Sequence, residues 1–136
     1  QTAVTLQDLA GRQLDLKSID GDILLVNFWA TWCKPCIEEM PSLERLSKDF
    51  SGRLRVVTIS VDSDKKKLTS FIKRTNMTVP VYWDPEGLKT TKKLGIKKYP
   101  ETLLLDRKAR KNYLVVGPRD WSDRHLQKGL EKLLKL

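Results

Sequence analysis

The sequence predicts an α/β fold, and three observations carry that reading. Ile23 to Trp29 is an apolar run of strand length. Ile37, Met40, Leu43, Leu46 and Phe50 then recur with helical period, and Leu54 to Val61 is a second strand-length run rich in valine and isoleucine. Strand, helix and strand in that order form a βαβ unit with a right-handed crossover. At 136 residues the chain has the size of one domain with one core.

The remaining elements follow in chain order. Residues 4 to 16 alternate around Ala10-Gly11, with Leu14 and Leu16 on one face, which predicts a short hairpin. Asp20-Gly21 is a turn signal. The run from 23 to 29 is apolar almost throughout, as in a strand covered on both faces. A helix is expected from about 34 to 50, bent by Pro41 inside it. A second amphipathic helix covers about 64 to 75, with Leu68, Phe71 and Ile72 inward. Val79 to Trp83 reads as a short strand, followed by a helix from about 86 to 94 that Gly95 stops. Thr102 to Asp106 and Tyr113 to Val116 read as an antiparallel pair around a basic turn. The last helix is expected to be capped near Asp120 or Ser122 and to bury Leu126, Leu130, Leu133 and Leu134.

Charge and composition exclude several functions. Lysine and arginine number 26 against 17 acidic residues, a formal net charge of +9. The basic clusters, among them Lys65 to Lys67, Lys92-Lys93 and Lys97-Lys98, are scattered over several predicted elements without stacking aromatics at a repeated interval. Nucleic acid is therefore not the expected partner. The field favours acidic partners or an anionic membrane surface. Lys97 and Lys98 stand out because they immediately precede Tyr99-Pro100. No apolar run approaches the roughly 20 residues of a membrane span. The sequence opens on Gln1 rather than methionine, so a removed signal or anchor is an open expectation.

Both cysteines lie in Trp32-Cys33-Lys34-Pro35-Cys36, where the first strand hands over to the first helix. Two thiols at this spacing and place form a redox pair. The first sits where the helix leaves its N–H groups unsatisfied, so its thiolate is stabilised by those donors and by the helix dipole. A low-pKa thiolate beside a resolving thiol is the machinery of thiol–disulfide exchange. By position Cys33 attacks and Cys36 resolves. Pro35 fixes φ in the first turn and gives up an N–H that would be orphaned anyway. Lys34 either adds a cation near the thiolate or points to solvent. A purely structural staple is a weaker reading, because stabilisation by a disulfide grows with loop length. Zinc fails on ligand count, since the lone histidine, His125, lies on a distant predicted helix. A two-thiolate copper(I) carrier is the alternative from a different class. The exchange chemistry itself needs no cofactor.

The stretch Val26-Asn27-Phe28-Trp29-Ala30-Thr31-Trp32-Cys33-Lys34-Pro35-Cys36, the Glu39-Met40-Pro41 that follows, and Pro100-Glu101-Thr102-Leu103-Leu104-Leu105-Asp106 resemble the extracytoplasmic TlpA/ResA/CcmG-type branch of the thioredoxin fold. The resemblance runs over residues 5 to 134. It implies a three-layer α/β/α fold with an N-terminal β-hairpin and a strand–helix unit inserted between residues 76 and 98. It implies a protein-disulfide reductase of envelope clients, apocytochrome c among them, re-reduced by a membrane or extracytoplasmic electron donor. It also implies a cis Tyr99-Pro100 peptide beside the thiols, where Tyr99 would pair with an extended client segment; the residues alone leave an ordinary trans proline open. Trp29 and Trp32 are expected to collar the site and touch clients, and the chain is expected to be a monomer. Peroxide reduction is the competing enzyme reading, because peroxiredoxins share the inserted architecture.

Two positions depart from relatives. Plain thioredoxins carry a buried aspartate where this chain has Asn27, and Tyr99 is bulkier than the usual residue before the proline. With an amide at 27, Glu101 is the expected proton acceptor for Cys36, its pKa raised by partial burial. The competing reading makes Glu101 an exposed edge residue paired with a nearby lysine.

Overall fold

In the computed structural model, which describes residues 4–50 and 52–135, the apolar run becomes β3 (Ile23–Trp29), and all seven of its residues are buried. It is the middle strand of a five-stranded sheet. The hairpin strands β1 (Thr5–Gln7) and β2 (Gln13–Asp15) precede it; α1 (Lys34–Asp49), β4 (Leu54–Ser60), α2 (Lys65–Thr75), β5 (Val81–Trp83), α3 (Thr90–Lys93), β6 (Glu101–Asp106), β7 (Lys111–Val116) and α4 (Arg124–Lys135) follow. The sheet runs β5-β4-β3-β6-β7. β4 is parallel to both β3 and β5, whereas β6 is antiparallel to β3 and β7. This is the thioredoxin-like arrangement the sequence predicts, with the hairpin and the inserted β5 and α3.

Side-chain alternation divides β3 between two layers. Ile23, Leu25 and Trp29 pack with Met40, Leu43 and Leu46 of α1, Leu68 and Phe71 of α2, and Leu130 and Leu134 of α4. Leu24, Val26 and Phe28 point the other way, onto Leu6 and Leu16 of the hairpin segment and Ile96. Each fully buried side chain of this kind stabilises the fold by about 1.5–3 kcal/mol, so neither layer is dispensable. Asn27, on the helix side of β3, is the one polar residue of that strand and is wholly buried. The register sets Asn27 beside Thr102 and Phe28 beside Glu101. Thr102 therefore shares the helix face and Glu101 the hairpin face.

Three elements differ from expectation. The helix expected from 86 to 94 is a 3₁₀ turn, Pro85–Gly87, followed by the short α3. Glu86 takes a positive φ of 58° there, and the buried Asp84 carboxylate accepts the N–H groups of Lys89 and Thr91 at 3.1 and 2.8 Å. That side chain competes with the i→i+4 ladder and ends one turn before starting another. Gly95, with φ of 75°, stops α3 as expected. The cap of α4 falls on Asp123, which accepts the N–H of Leu126 at 3.2 Å, while Asp120 closes a local turn onto Ser122. β5 starts only at Val81, because Pro80 has no N–H to give and offers its carbonyl to Thr58 N instead.

Candidate active site

The cysteines sit at the end of β3, where the chain leaves the sheet through Ala30–Trp32 and enters α1. Cys33 is the N-cap of α1, in extended conformation, and its Sγ accepts the N–H of Cys36 at 3.3 Å. Pro35 lies in the first turn, where a missing N–H costs nothing. The sulfurs are joined as a disulfide across a Cα–Cα distance of 5.3 Å. Cys33 keeps 6% of its surface and Cys36 none, so an incoming sulfur can reach only Cys33. Lys34 and Pro35 are both exposed, and the Lys34 charge is correspondingly screened.

The loop before Cys33 is anchored by a residue the sequence did not single out. The buried Asp62 carboxylate accepts the Thr31 N–H at 3.1 Å, the Thr31 hydroxyl at 2.5 Å and the Ser60 hydroxyl at 2.5 Å. Trp83 Nε1 donates to the Asp62 carbonyl at 2.7 Å. A carboxylate at the end of β4 thus fixes the backbone leading to Trp32.

Trp32 is 67% exposed and meets the half-buried Tyr99 edge to face, with ring centroids 6.0 Å apart. The Tyr99-Pro100 peptide is cis. The Pro100 carbonyl accepts Gly117 N–H at 2.9 Å, which ties the loop to the end of β7. Burial pushes the Tyr99 phenol up, and the Asp84 and Glu101 carboxylates add to it. The Trp32–Tyr99 contact thus brings the Tyr99-Pro100 loop up to the segment that carries Cys33. Trp29 does not join that contact. Its ring is fully buried against Phe71, at 5.6 Å between centroids. It supports the site from the core and has no surface to offer a client, which corrects the expected collar.

Glu101 also falls elsewhere than expected. It is buried, not an exposed edge residue, and its Oε1 accepts the N–H groups of Lys97 and Lys98 at 3.2 and 2.7 Å. Its register with Phe28 directs it to the hairpin face, across the sheet from the helix that carries Cys36. The carboxylate is committed to holding the loop before Tyr99.

The carboxylate on the Cys36 side is Glu39, three residues further along α1 and only 4% exposed. Residues three apart on a helix lie on one face. Glu39 Oε2 accepts Trp121 Nε1 at 2.8 Å and Arg119 N at 2.9 Å, and its Oε1 accepts Asn27 Nδ2 at 3.1 Å. Asn27 Nδ2 also donates to Thr102 Oγ1 at 3.0 Å. Burial pushes the Glu39 carboxyl above its ordinary range, while the bonds from Trp121, Arg119 and Asn27 pull the other way without cancelling it. The signal for it was legible as a charged residue on the apolar stripe of Cys36, Met40 and Leu43.

The sequence and the fold have parallels among known proteins. The chain is 36% identical to the thioredoxin-like protein YneN of Bacillus subtilis over 76% of its own length and 62% of that protein's. It is 28% identical to the thiol-disulfide oxidoreductase ResA of Halalkalibacterium halodurans over 74% of its length and 57% of ResA's. The chain thus spans about three fifths of these curated relatives. A candidate thiol:disulfide interchange protein DsbE from Chlorobium tepidum superposes with a TM-score of 0.83 at 24% identity, over 98% of this chain and 94% of that one, which shows the common fold. The match to the family model described as AhpC/TSA runs over residues 2–116, taking in the hairpin, the βαβ unit with both cysteines and the strand pair after Pro100, and the chain belongs to that family.

Proposed function

We propose that the chain is a thiol–disulfide oxidoreductase that carries two electrons on Cys33 and Cys36 and reduces disulfides of protein clients outside the cytoplasm. The observation that supports it most is the disulfide at the start of α1 with only Cys33 open to solvent. In the dithiol form the Cys33 thiolate attacks one client sulfur. The client disulfide breaks, its second sulfur leaves as a thiolate and takes up a proton, and a mixed disulfide joins Cys33 to the client. Cys36 then gives up its proton and attacks Cys33 Sγ. The Cys33–Cys36 disulfide closes, and the client leaves with both sulfurs reduced.

Glu39 is the proposed acceptor of the Cys36 proton, because it is the buried carboxylate on the same helix face. Trp32 and Tyr99 offer the client an aromatic surface beside Cys33, and the Tyr99 backbone offers it a single position for main-chain pairing. Returning the disulfide to the dithiol form needs an external dithiol donor, which we place at the membrane or in the same compartment. A compartment that permits disulfides suits the reaction, and the apocytochrome clients implied by the resemblance are the first class to test.

The experiment mixes the reduced protein with a disulfide-linked peptide and follows peptide thiol release. Stoichiometric transfer with closure of Cys33–Cys36 is expected, and a Cys36→Ser variant should stop at the mixed disulfide. Absence of transfer while Cys33 remains alkylatable would refute the reading. Redox titration checks the direction, since a reductant lies nearer about −270 mV than about −120 mV.

A further inference from the structure

The rim of the Cys33 opening carries a charge that the exchange reaction leaves unused. Lys97 and Lys98 immediately precede Tyr99, and both are exposed. Their N–H groups are taken by Glu101 Oε1. The backbone there is pinned, so the ammonium groups are what these residues have left to offer a partner. Among the described residues the ion pairs are Arg12–Asp8, Arg53–Asp22 and Lys108–Asp22, and neither Lys97 nor Lys98 takes part in one.

Of the neighbouring carboxylates only Glu86, in the turn whose Gly87 lies against the Tyr99 hydroxyl, stays exposed. Asp84 is buried on Lys89 and Thr91, and Glu101 is buried beneath the loop. Residues 87 to 100 contain no acidic side chain, while Lys89, Lys92, Lys97 and Lys98 are exposed along them. On the other side of the thiol Lys34 is exposed as well, but Glu38 shares its helix face at i,i+4 and offsets it. The excess runs along this stretch, and Lys97 and Lys98 are its members next to Tyr99.

We propose that this rim selects clients whose disulfide is flanked by acidic residues. The inference rests on the oxidoreductase reading and gives its substrate class. An extended client segment advances about 3.3 Å per residue. When one of its residues pairs with the backbone at Tyr99, its neighbours along the segment come within reach of the long Lys97 and Lys98 side chains that leave the bend before Pro100. Carboxylates at those client positions meet exposed cations, and lysines there meet like charge.

Three synthetic peptides with one common disulfide and acidic, neutral or basic flanks test this against the reduced protein. Wild type should reduce the acidic peptide with kcat/KM about five-fold above the neutral one at low ionic strength, as two exposed charge pairs of ordinary strength give. The basic peptide should be slowest. The spread should collapse near 1 M salt, where the screening length is about 3 Å. K97E/K98E should invert the acidic-to-basic ratio. K128E/K132E, the same change of net charge on the exposed face of α4, should keep it. Equal rates for acidic and basic peptides while the neutral one is turned over, or inversion by K128E/K132E as well, would overturn the rim and leave the oxidoreductase reading intact. Turnover of none of the peptides would overturn the oxidoreductase reading and the rim with it.

Discussion

Replacing Glu39 with glutamine tests the proposed proton step at nearly constant shape. In the native protein Glu39 Oε2 holds Trp121 Nε1 and Arg119 N at 2.8 and 2.9 Å, and Oε1 holds Asn27 Nδ2 at 3.1 Å. A glutamine carbonyl can keep the first two. Its amide nitrogen would then face the Asn27 amide nitrogen, donor against donor. Asn27 Oδ1 is buried without a partner, so a half-turn of that amide restores the bond. The fold should survive within about 1 kcal/mol, because weaker neutral hydrogen bonds are offset by not burying a charge. Burial raises the native Glu39 pKa above its unfolded value. Its stabilising contribution is therefore fully present below the ordinary glutamate range and is lost as pH rises through the native pKa. Glu39→Gln should remove that slope from the stability profile. Catalysis should suffer far more. A positioned general base contributes about 10²–10⁴, so resolution of the mixed disulfide should slow by at least about 100-fold near neutral pH. The deficit should shrink as pH rises, because hydroxide then competes with Glu39 for the Cys36 proton. Stopped-flow release of a chromophoric thiol from Cys33 measures this step. An unchanged rate and pH profile between pH 5 and 9 would refute the role of Glu39.

Other perturbations separate the remaining parts of the site. Glu101→Gln keeps one acceptor for the N–H groups of Lys97 and Lys98; it should cost about 1 kcal/mol in chemical denaturation and leave the pH profile of resolution unchanged. Cys33 should alkylate much faster than Cys36 in the reduced protein, because only Cys33 keeps exposed surface, and mass spectrometry after brief iodoacetamide treatment reads the order. Trp32→Ala should leave stability within about 0.5 kcal/mol, as for most surface changes, yet raise the client KM. Trp29→Ala should instead cost about 3–5 kcal/mol by opening a core cavity, a contrast that thermal unfolding paired with peptide kinetics resolves.

The elements legible in the sequence were those whose pattern is local. The all-apolar run of β3 announced a strand covered on both faces, and the placement of the cysteines announced their chemistry. The segment from Pro85 to Leu94 departs from the expected helix because its shape is set by Asp84, whose carboxylate reaches five and seven residues forward to Lys89 and Thr91. Asp62 was invisible for a related reason: it acts on Thr31 across two strands, a contact no periodicity records. Nearness to Cys33 along the chain suggests a collar role for Trp29, but its odd-numbered position in β3 turns it toward the helices with Leu25.

The two glutamates show how much one step of register decides. Glu101 looked like the proton acceptor because it adjoins Pro100 and because Asn27 cannot take a proton as an aspartate would. Strand alternation turns it to the hairpin face with Phe28, whereas Thr102, one residue on, turns to Asn27. Glu39 reaches the same Asn27 from the helix side. An aspartate at position 27 would set two carboxylates about 3.1 Å apart in the core, and like charges that close cannot both ionise. One would stay protonated through the neutral range and the pair would titrate as a unit. Asn27 avoids this: its amide donates to Glu39 and leaves a single titrating group beside Cys36 in the proposed reaction. The substitution that closed one proton route is therefore the condition for the other. Asn27→Asp should show it, by splitting the single pH-dependent phase of resolution into two, and a single unshifted phase would break the link between Asn27 and Glu39.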